Sequence, residues 1–98
     1  MSDATESPQT PNNRQIMAMV DWVEMKSSNI AAAGYIAGQL VPGFSWFERK
    51  LFVRFVSGDV YVYHNVPREI WNAWLAAPSK GSYHYANIRK SFSYEKVT

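Results

Sequence analysis

Lys50-Leu51-Phe52-Val53-Arg54-Phe55-Val56-Ser57-Gly58-Asp59-Val60-Tyr61-Val62-Tyr63-His64 is the stretch on which the fold turns. Leu51, Val53 and Phe55 alternate with Phe52, Arg54 and Val56. After Ser57-Gly58-Asp59 the chain resumes with Val60 to Tyr63, rich in β-branched and aromatic residues. Apolar runs on both sides of a glycine-containing turn predict a β-hairpin. Two registers are open. A two-residue turn places Val60 and Val62 on the face of Leu51, Val53 and Phe55. A three-residue loop, Val56-Ser57-Gly58, with Gly58 in the left-handed position, places Tyr61 and Tyr63 there instead. Gly58 in third place favours the second. In either register both faces of the sheet are largely apolar. A single terminal helix covers only one of them, so the other is expected to need a partner or a ligand.

Working outward, Pro67 suits a first helical position and Glu69 sits where the helix dipole favours an acid. Ile70, Trp71, Trp74 and Leu75 form an apolar stripe that Pro78 ends. Ser79 or Ser82 can cap a second short helix carrying Tyr83, Ile88 and Arg89. Upstream, Ile30 to Gln39 is small and glycine-punctuated, with Tyr35-Ile36 as a short first strand. Gln15 to Glu24 fits either a short helix or an extended lead-in. Residues 1–14 are polar, contain Pro8 and Pro11, and read as a disordered tail; residues 15–98 read as a single domain. The expected class is α+β: a small antiparallel β-meander of about three strands, then one or two C-terminal helices packed on one sheet face.

Composition narrows the function classes. In 98 residues, 47% are hydrophobic, 15% aromatic and 18% charged, which excludes a disordered chain. With no cysteine, neither a disulfide scaffold nor a thiolate metal site is available. No apolar run is long enough to span a membrane and the start lacks a signal peptide, so the expected compartment is the cytoplasm. The net charge is +2, but residues 79–98 set four cations against Glu95 alone. Such an end holds a few phosphates, short of a long nucleic-acid track; a solvated helix face accounts for the same charges.

The inventory for catalysis is thin. There are two histidines, His64 and His84, and no paired-carboxylate, HExxH, GxSxG or phosphate-cradling glycine pattern. No enzyme, metal or cofactor is expected. His64 closes a strand and reads as structural. Cations interleaved with aromatics are the feature able to carry function. Phe52, Arg54, Tyr61 and Tyr63 lie on the hairpin; Tyr83, His84, Tyr85, Asn87, Arg89 and Lys90 lie close to the C-terminus, and Lys80 precedes them. Bases stack on aromatic faces while Arg or Lys meets phosphate. The competing reading is core and rim, because small domains bury large aromatics of necessity; Trp71 and Trp74 are read that way. Ser27-Ser28 reads first as a cap or turn, and second as an anion contact.

Ser27-Ser28-Asn29-Ile30, Gly34-Tyr35, the strand ending at Phe55, Ser57-Gly58 and Tyr61-Val62-Tyr63 follow one another in an order that resembles the KTSC domain. So do Val66-Pro67, Ala77, Ser79-Lys80-Gly81-Ser82-Tyr83, Asn87-Ile88-Arg89, Phe92 and Tyr94. That small domain is named for its occurrence at the C-terminus of some lysyl-tRNA synthetases. The resemblance covers about residues 25–97 and implies a short β-meander followed by helices. It also implies the register with Tyr61 and Tyr63 on the core face, and no settled function. RNA binding has been suggested for the family through the synthetase, and free-standing bacterial and phage members occur. Gly38 to Lys50 is longer and more aromatic than a tight connection, and Val62 is apolar where the family tolerates polar residues. Both departures point to an interface, with Phe44, Trp46 and Phe47 as its candidates.

Three functions follow. The first is a non-catalytic protein, a homo-oligomer, that binds or sequesters a phosphate-bearing nucleotide, in the manner of phage proteins that soak up cyclic-nucleotide defence signals. Arg54, Lys80, Arg89 and Lys90 would meet phosphates; Tyr61, Tyr83, His84 or Trp46 would stack on bases. The second is an RNA-binding module using the same aromatics as an open platform. The third is a protein–protein adaptor or inhibitor anchored by Phe44, Trp46 and Phe47.

Overall fold

The hairpin is the centre of a five-stranded antiparallel sheet in the computed structural model, which describes residues 12–38 and 49–98. The strands are β1 (Val23–Glu24), β2 (Ile30–Ile36), β3 (Lys50–Phe55), β4 (Val60–His64) and β5 (Tyr94–Lys96), and they lie side by side in chain order. Helix α1 (Asn13–Met17) precedes them. Helices α2 (Arg68–Ala76) and α3 (Lys80–Tyr83) stand between β4 and β5, and α3 runs straight into a π-helical segment, His84–Arg89. Phe44, Trp46 and Phe47 lie outside the described residues, as do residues 1–11.

The turn settles the register. Gly58 takes φ +100°, a conformation that side-chain-bearing residues rarely adopt. Its N–H donates to the Phe55 carbonyl at 2.8 Å, and the Phe55 N–H donates to the Asp59 carbonyl at 2.9 Å. This is the three-residue loop, and it sets Tyr63 opposite Leu51 and Tyr61 opposite Val53. The inner face therefore carries Leu51, Val53 and Tyr63, on which Trp71, Trp74 and Ile88 pack. Tyr35 joins them by stacking on Trp71, with centroids 6.1 Å apart, and its hydroxyl donates to the Val66 carbonyl at 2.7 Å. Pro67 is the N-cap of α2 rather than its first residue, and Ser79 caps α3 by accepting from the Ser82 N–H.

Two expectations are corrected. The sheet has five strands rather than about three, and the chain does not end in helices. Ala31, Ala32, Ala33 and Gly34 carry little intrinsic strand preference; pairing with β3 along its length is what holds Ile30–Ile36 extended. After the π segment the chain comes back as β5 beside β4, with Tyr94 opposite Tyr63.

A further correction concerns the outer face, which is covered from within the chain. Phe52, Val60 and Val62 bury against Ile16, with Met17, Val20 and Trp22 packed around them. A capping box fixes α1: Asn12 Oδ1 accepts from the Gln15 N–H, and Gln15 Oε1 accepts from the Asn12 N–H, both at 2.8 Å. The helix thus opens inside the stretch read as a tail. A covered outer face gives no reason for a homo-oligomer on that account.

Gly34 explains how the N-terminal segment comes so close. A β-carbon there would overlap Cγ1 of Val20 and lie 3.0 Å from the Asp21 carbonyl oxygen. Gly34→Ala is expected to lower stability by about 1–3 kcal/mol through overpacking, read as a fall in the urea midpoint. A neutral or stabilising result would mean that residues 16–22 do not lie against β2.

Candidate functional site

Between the hairpin and the π segment the inner face is left open as a cleft of about 520 Å³. Its walls are Phe55, Tyr61 and Tyr63 from the hairpin, Tyr94 from β5, and His84, Tyr85 and Arg89 from the π segment. The strand period explains the first group: residues two apart share a face, so the register that buries Tyr63 also turns Tyr61 toward the cleft. Ser28 and Asn29, from the turn between β1 and β2, close one end, and Ser57 and Asp59 stand at the hairpin tip.

The aromatic walls are mutually fixed. Tyr61 meets Phe55 edge to face at 5.6 Å and Tyr94 at 5.8 Å. Tyr63 meets Tyr94 at 5.3 Å. Deep in the cleft, His84 is 4% exposed, with Phe55, Tyr63 and Trp74 rings around it at 5.5–5.7 Å. The Tyr63 hydroxyl and His84 Nε2 are 3.0 Å apart. Burial pushes the Tyr63 phenol up to about 12, with a smaller push in the same direction from Tyr94. Burial also pulls the His84 imidazole down to about 4, and the neighbouring Arg89 guanidinium adds to this. Both groups are therefore uncharged at neutral pH.

A polar groove of about 790 Å³ adjoins the cleft, sharing Ser28, Asn29, Gly81 and Tyr85 with it. Here the start of α3 passes the β1–β2 turn so closely that a β-carbon on Gly81 would sit 3.3 Å from both Asn29 Oδ1 and Ser27 Oγ. Ser27 is a turn former: its hydroxyl donates to Asn29 Oδ1 and accepts from the Asn29 N–H.

The sequence profile of the KTSC domain matches residues 42–92, just over half of the chain. The chain belongs to the KTSC domain family. A protein of Tsukamurella paurometabola is 34% identical over 68 residues, a match covering 69% of this chain and 88% of that relative. The crystal structure of a KTSC domain protein from Yersinia pestis superposes with a TM-score of 0.65 at 25% identity, covering 81% of this chain and 99% of that one.

In this KTSC domain the predicted site residues divide into two groups. Tyr61, Tyr63, His84 and Arg89 meet in the cleft. Arg54 does not: it lies on the outer face, its guanidinium 4.2 Å from the centre of the Trp22 ring. Lys80 lines the groove, but its ammonium donates to the carbonyls of Leu75 and Ala77 at 3.1 and 2.6 Å, closing the end of α2. Tyr83 packs against the core, and Asn87 donates to the Tyr83 carbonyl on the exposed side of the π segment. Lys90 sits over the Tyr85 ring at 4.4 Å, beside the cleft rather than in it. His64 bridges Lys50 of β3 and Glu95 of β5, at 3.2 and 2.9 Å, and serves the sheet.

Phe55, Asp59, Tyr85 and Tyr94 are among the cleft residues not named as ligand-binding from the sequence, although Tyr85 stands in its aromatic–cation cluster. Tyr94 had a signal, since it stands in the family resemblance. Tyr85 had one in its neighbours: Arg89 and Lys90 both lie over its ring.

Proposed function

We propose that this KTSC domain is a non-catalytic binder of a small nucleotide, held in the cleft between the hairpin and the π segment. The observation that carries this is the cleft itself: tyrosine faces on the walls and a guanidinium at the mouth, in a volume within the range of small-molecule sites. Tyr61, Tyr85 or Tyr94 offers a stacking face for a base. Arg89, the one Arg or Lys among the described residues lining the cleft, meets a phosphate. Asp59 at the hairpin tip is half-offset by Lys96 at 3.6 Å, and its carboxylate accepts from sugar hydroxyls.

Holding without turnover is supported by the state of the Tyr63–His84 pair. A phenol that keeps its proton to about 12 is a poor base, and an imidazole that stays neutral to about 4 is a poor acid at pH 7. Binding without reaction is what a sequestering protein needs, and a cyclic nucleotide is one form the ligand can take. Long RNA is disfavoured, because a net charge of +2 is low for the many phosphate contacts a long track makes.

Native mass spectrometry with linear and cyclic nucleotides and a short RNA tests the reading, followed by titration calorimetry. The expected result is stoichiometric nucleotide on the protein. Arg89→Ala is expected to weaken it by about 10- to 100-fold, the worth of a charged hydrogen bond. Protein that stays bare, or an Arg89→Ala variant that binds as tightly as the parent, would overturn it. Binding to RNA alone, falling steeply with salt, would replace the pocket by an RNA platform.

A further inference from the structure

We infer that His84 reads the ligand through its Nδ1–H: it is a fixed, uncharged donor deep in the cleft that selects a ring carrying an in-plane acceptor, a nucleobase nitrogen or carbonyl oxygen. This rests on the nucleotide reading above and assigns the contact that distinguishes a base from any other flat ring.

The hydroxyl of Tyr63 fixes the tautomer of His84. Among the described residues that hydroxyl has one partner, Nε2 of His84 at 3.0 Å. A phenol O–H is a much stronger hydrogen-bond acid than a neutral imidazole N–H, and an imidazole lone pair is a better acceptor than a phenol oxygen. The proton of that bond therefore stays on Tyr63, Nε2 accepts, and the ring's own hydrogen is on Nδ1. Burial of the imidazole and the nearby Arg89 guanidinium keep the ring from taking a second proton at neutral pH.

Where Nδ1 points follows from satisfaction. No fully buried side-chain nitrogen or oxygen among the described residues lacks a hydrogen-bond partner. His84 has its one hydrogen bond at Nε2, so Nδ1 is not fully buried. The ring is almost wholly enclosed, and the open space it lines is the cleft. The neighbouring rings of Phe55 and Tyr63 stand edge to face on it, at 75° and 84°. The imidazole is thereby held in one orientation, which a fixed donor requires. A phosphate would gain far more from Arg89 than from an uncharged N–H, so the acceptor that suits Nδ1–H is on the base.

The test uses the full chain and has two readouts. The first is the ¹⁵N spectrum of the His84 side chain at pH 7. A proton on Nδ1 is expected in the wild type, and a mixture of tautomers in Tyr63→Phe. A proton on Nε2, or a charged ring, overturns the inference without any ligand present. The second is affinity for AMP, GMP, CMP and UMP against phenyl phosphate, which has the flat ring and the phosphate but no ring acceptor. His84→Phe is expected to weaken the tightest-binding nucleotide about tenfold and to leave phenyl phosphate unchanged. Tyr63→Phe, by diluting the competent tautomer, is expected to weaken the nucleotide by about two- to fivefold. A nucleotide held equally well by wild type and His84→Phe removes this role and leaves the nucleotide reading standing. Wild-type protein that binds neither these four nor any linear or cyclic nucleotide of the mass-spectrometry panel removes both.

Discussion

Trp74→Ala is expected to cost about 3–5 kcal/mol of stability, the range for truncating a wholly buried indole. Its side chain is 0% exposed at the meeting point of α2, α3 and the sheet. Three losses combine. The ring's contacts with Trp71, at 6.1 Å and edge to face, and with His84, at 5.7 Å, disappear. A cavity the size of an indole opens beneath a short helix that cannot easily collapse onto it. The Lys80 carbonyl loses the Nε1–H that now reaches it at 2.9 Å. A domain of this size has only about 5–15 kcal/mol in total, so much of the population would unfold near body temperature. Urea titration gives the number, and Trp74→Phe separates the hydrogen bond from the packing. A loss below about 1 kcal/mol would mean that Trp74 is not the keystone of the inner core.

Mild acid is expected to remove about 2 kcal/mol by pH 5, and about 3 by pH 4, through His84 alone. The imidazole titrates near 4 in the folded protein against an ordinary 6.5. Between those values the unfolded chain binds a proton that the folded chain refuses. Stability therefore rises with pH across that window, is complete above about pH 6.5, and falls as the pH drops toward 4. Urea midpoints at pH 7.5, 6 and 5 check this, with His84→Phe as the control whose curve flattens over the same interval. Parallel losses in the two proteins would show that His84 is not the source of the acid sensitivity.

What the chain discloses in advance depends on how locally each feature is determined. The hairpin and its register are legible because one residue, Gly58, fixes the loop conformation. Helix α2 is legible because Pro67 and Pro78 bracket it and its tryptophans fall at helical spacing. β2 is legible only at Tyr35-Ile36, since alanine and glycine say nothing about a strand until β3 lies beside them. The cover on the outer face is hidden for a similar reason. Ile16, Val20 and Trp22 are ordinary apolar residues, and only the absence of a side chain at Gly34 marks where they dock.

The cleft is half legible. Tyr61, Tyr63, His84 and Arg89 belong to it, because hairpin register and an aromatic–cation mixture are sequence properties. Arg54 and Lys80 are misplaced for want of partners that are distant or unobvious: a tryptophan on the other face and the carbonyls of a helix end. The π segment has no sequence signature here, yet its wider turn buries both His84 and Ile88 while sending Arg89 to the mouth.

The short outermost strands have a consequence of their own. β1 is two residues long and β5 three, and they carry Glu24, Glu95 and Lys96. An incoming peptide seeking to extend the sheet would find too few free backbone groups in line, and a charged side chain beside most of them. Among the described residues, the same economy of length disfavours both fibril growth and strand-addition recognition at these two margins.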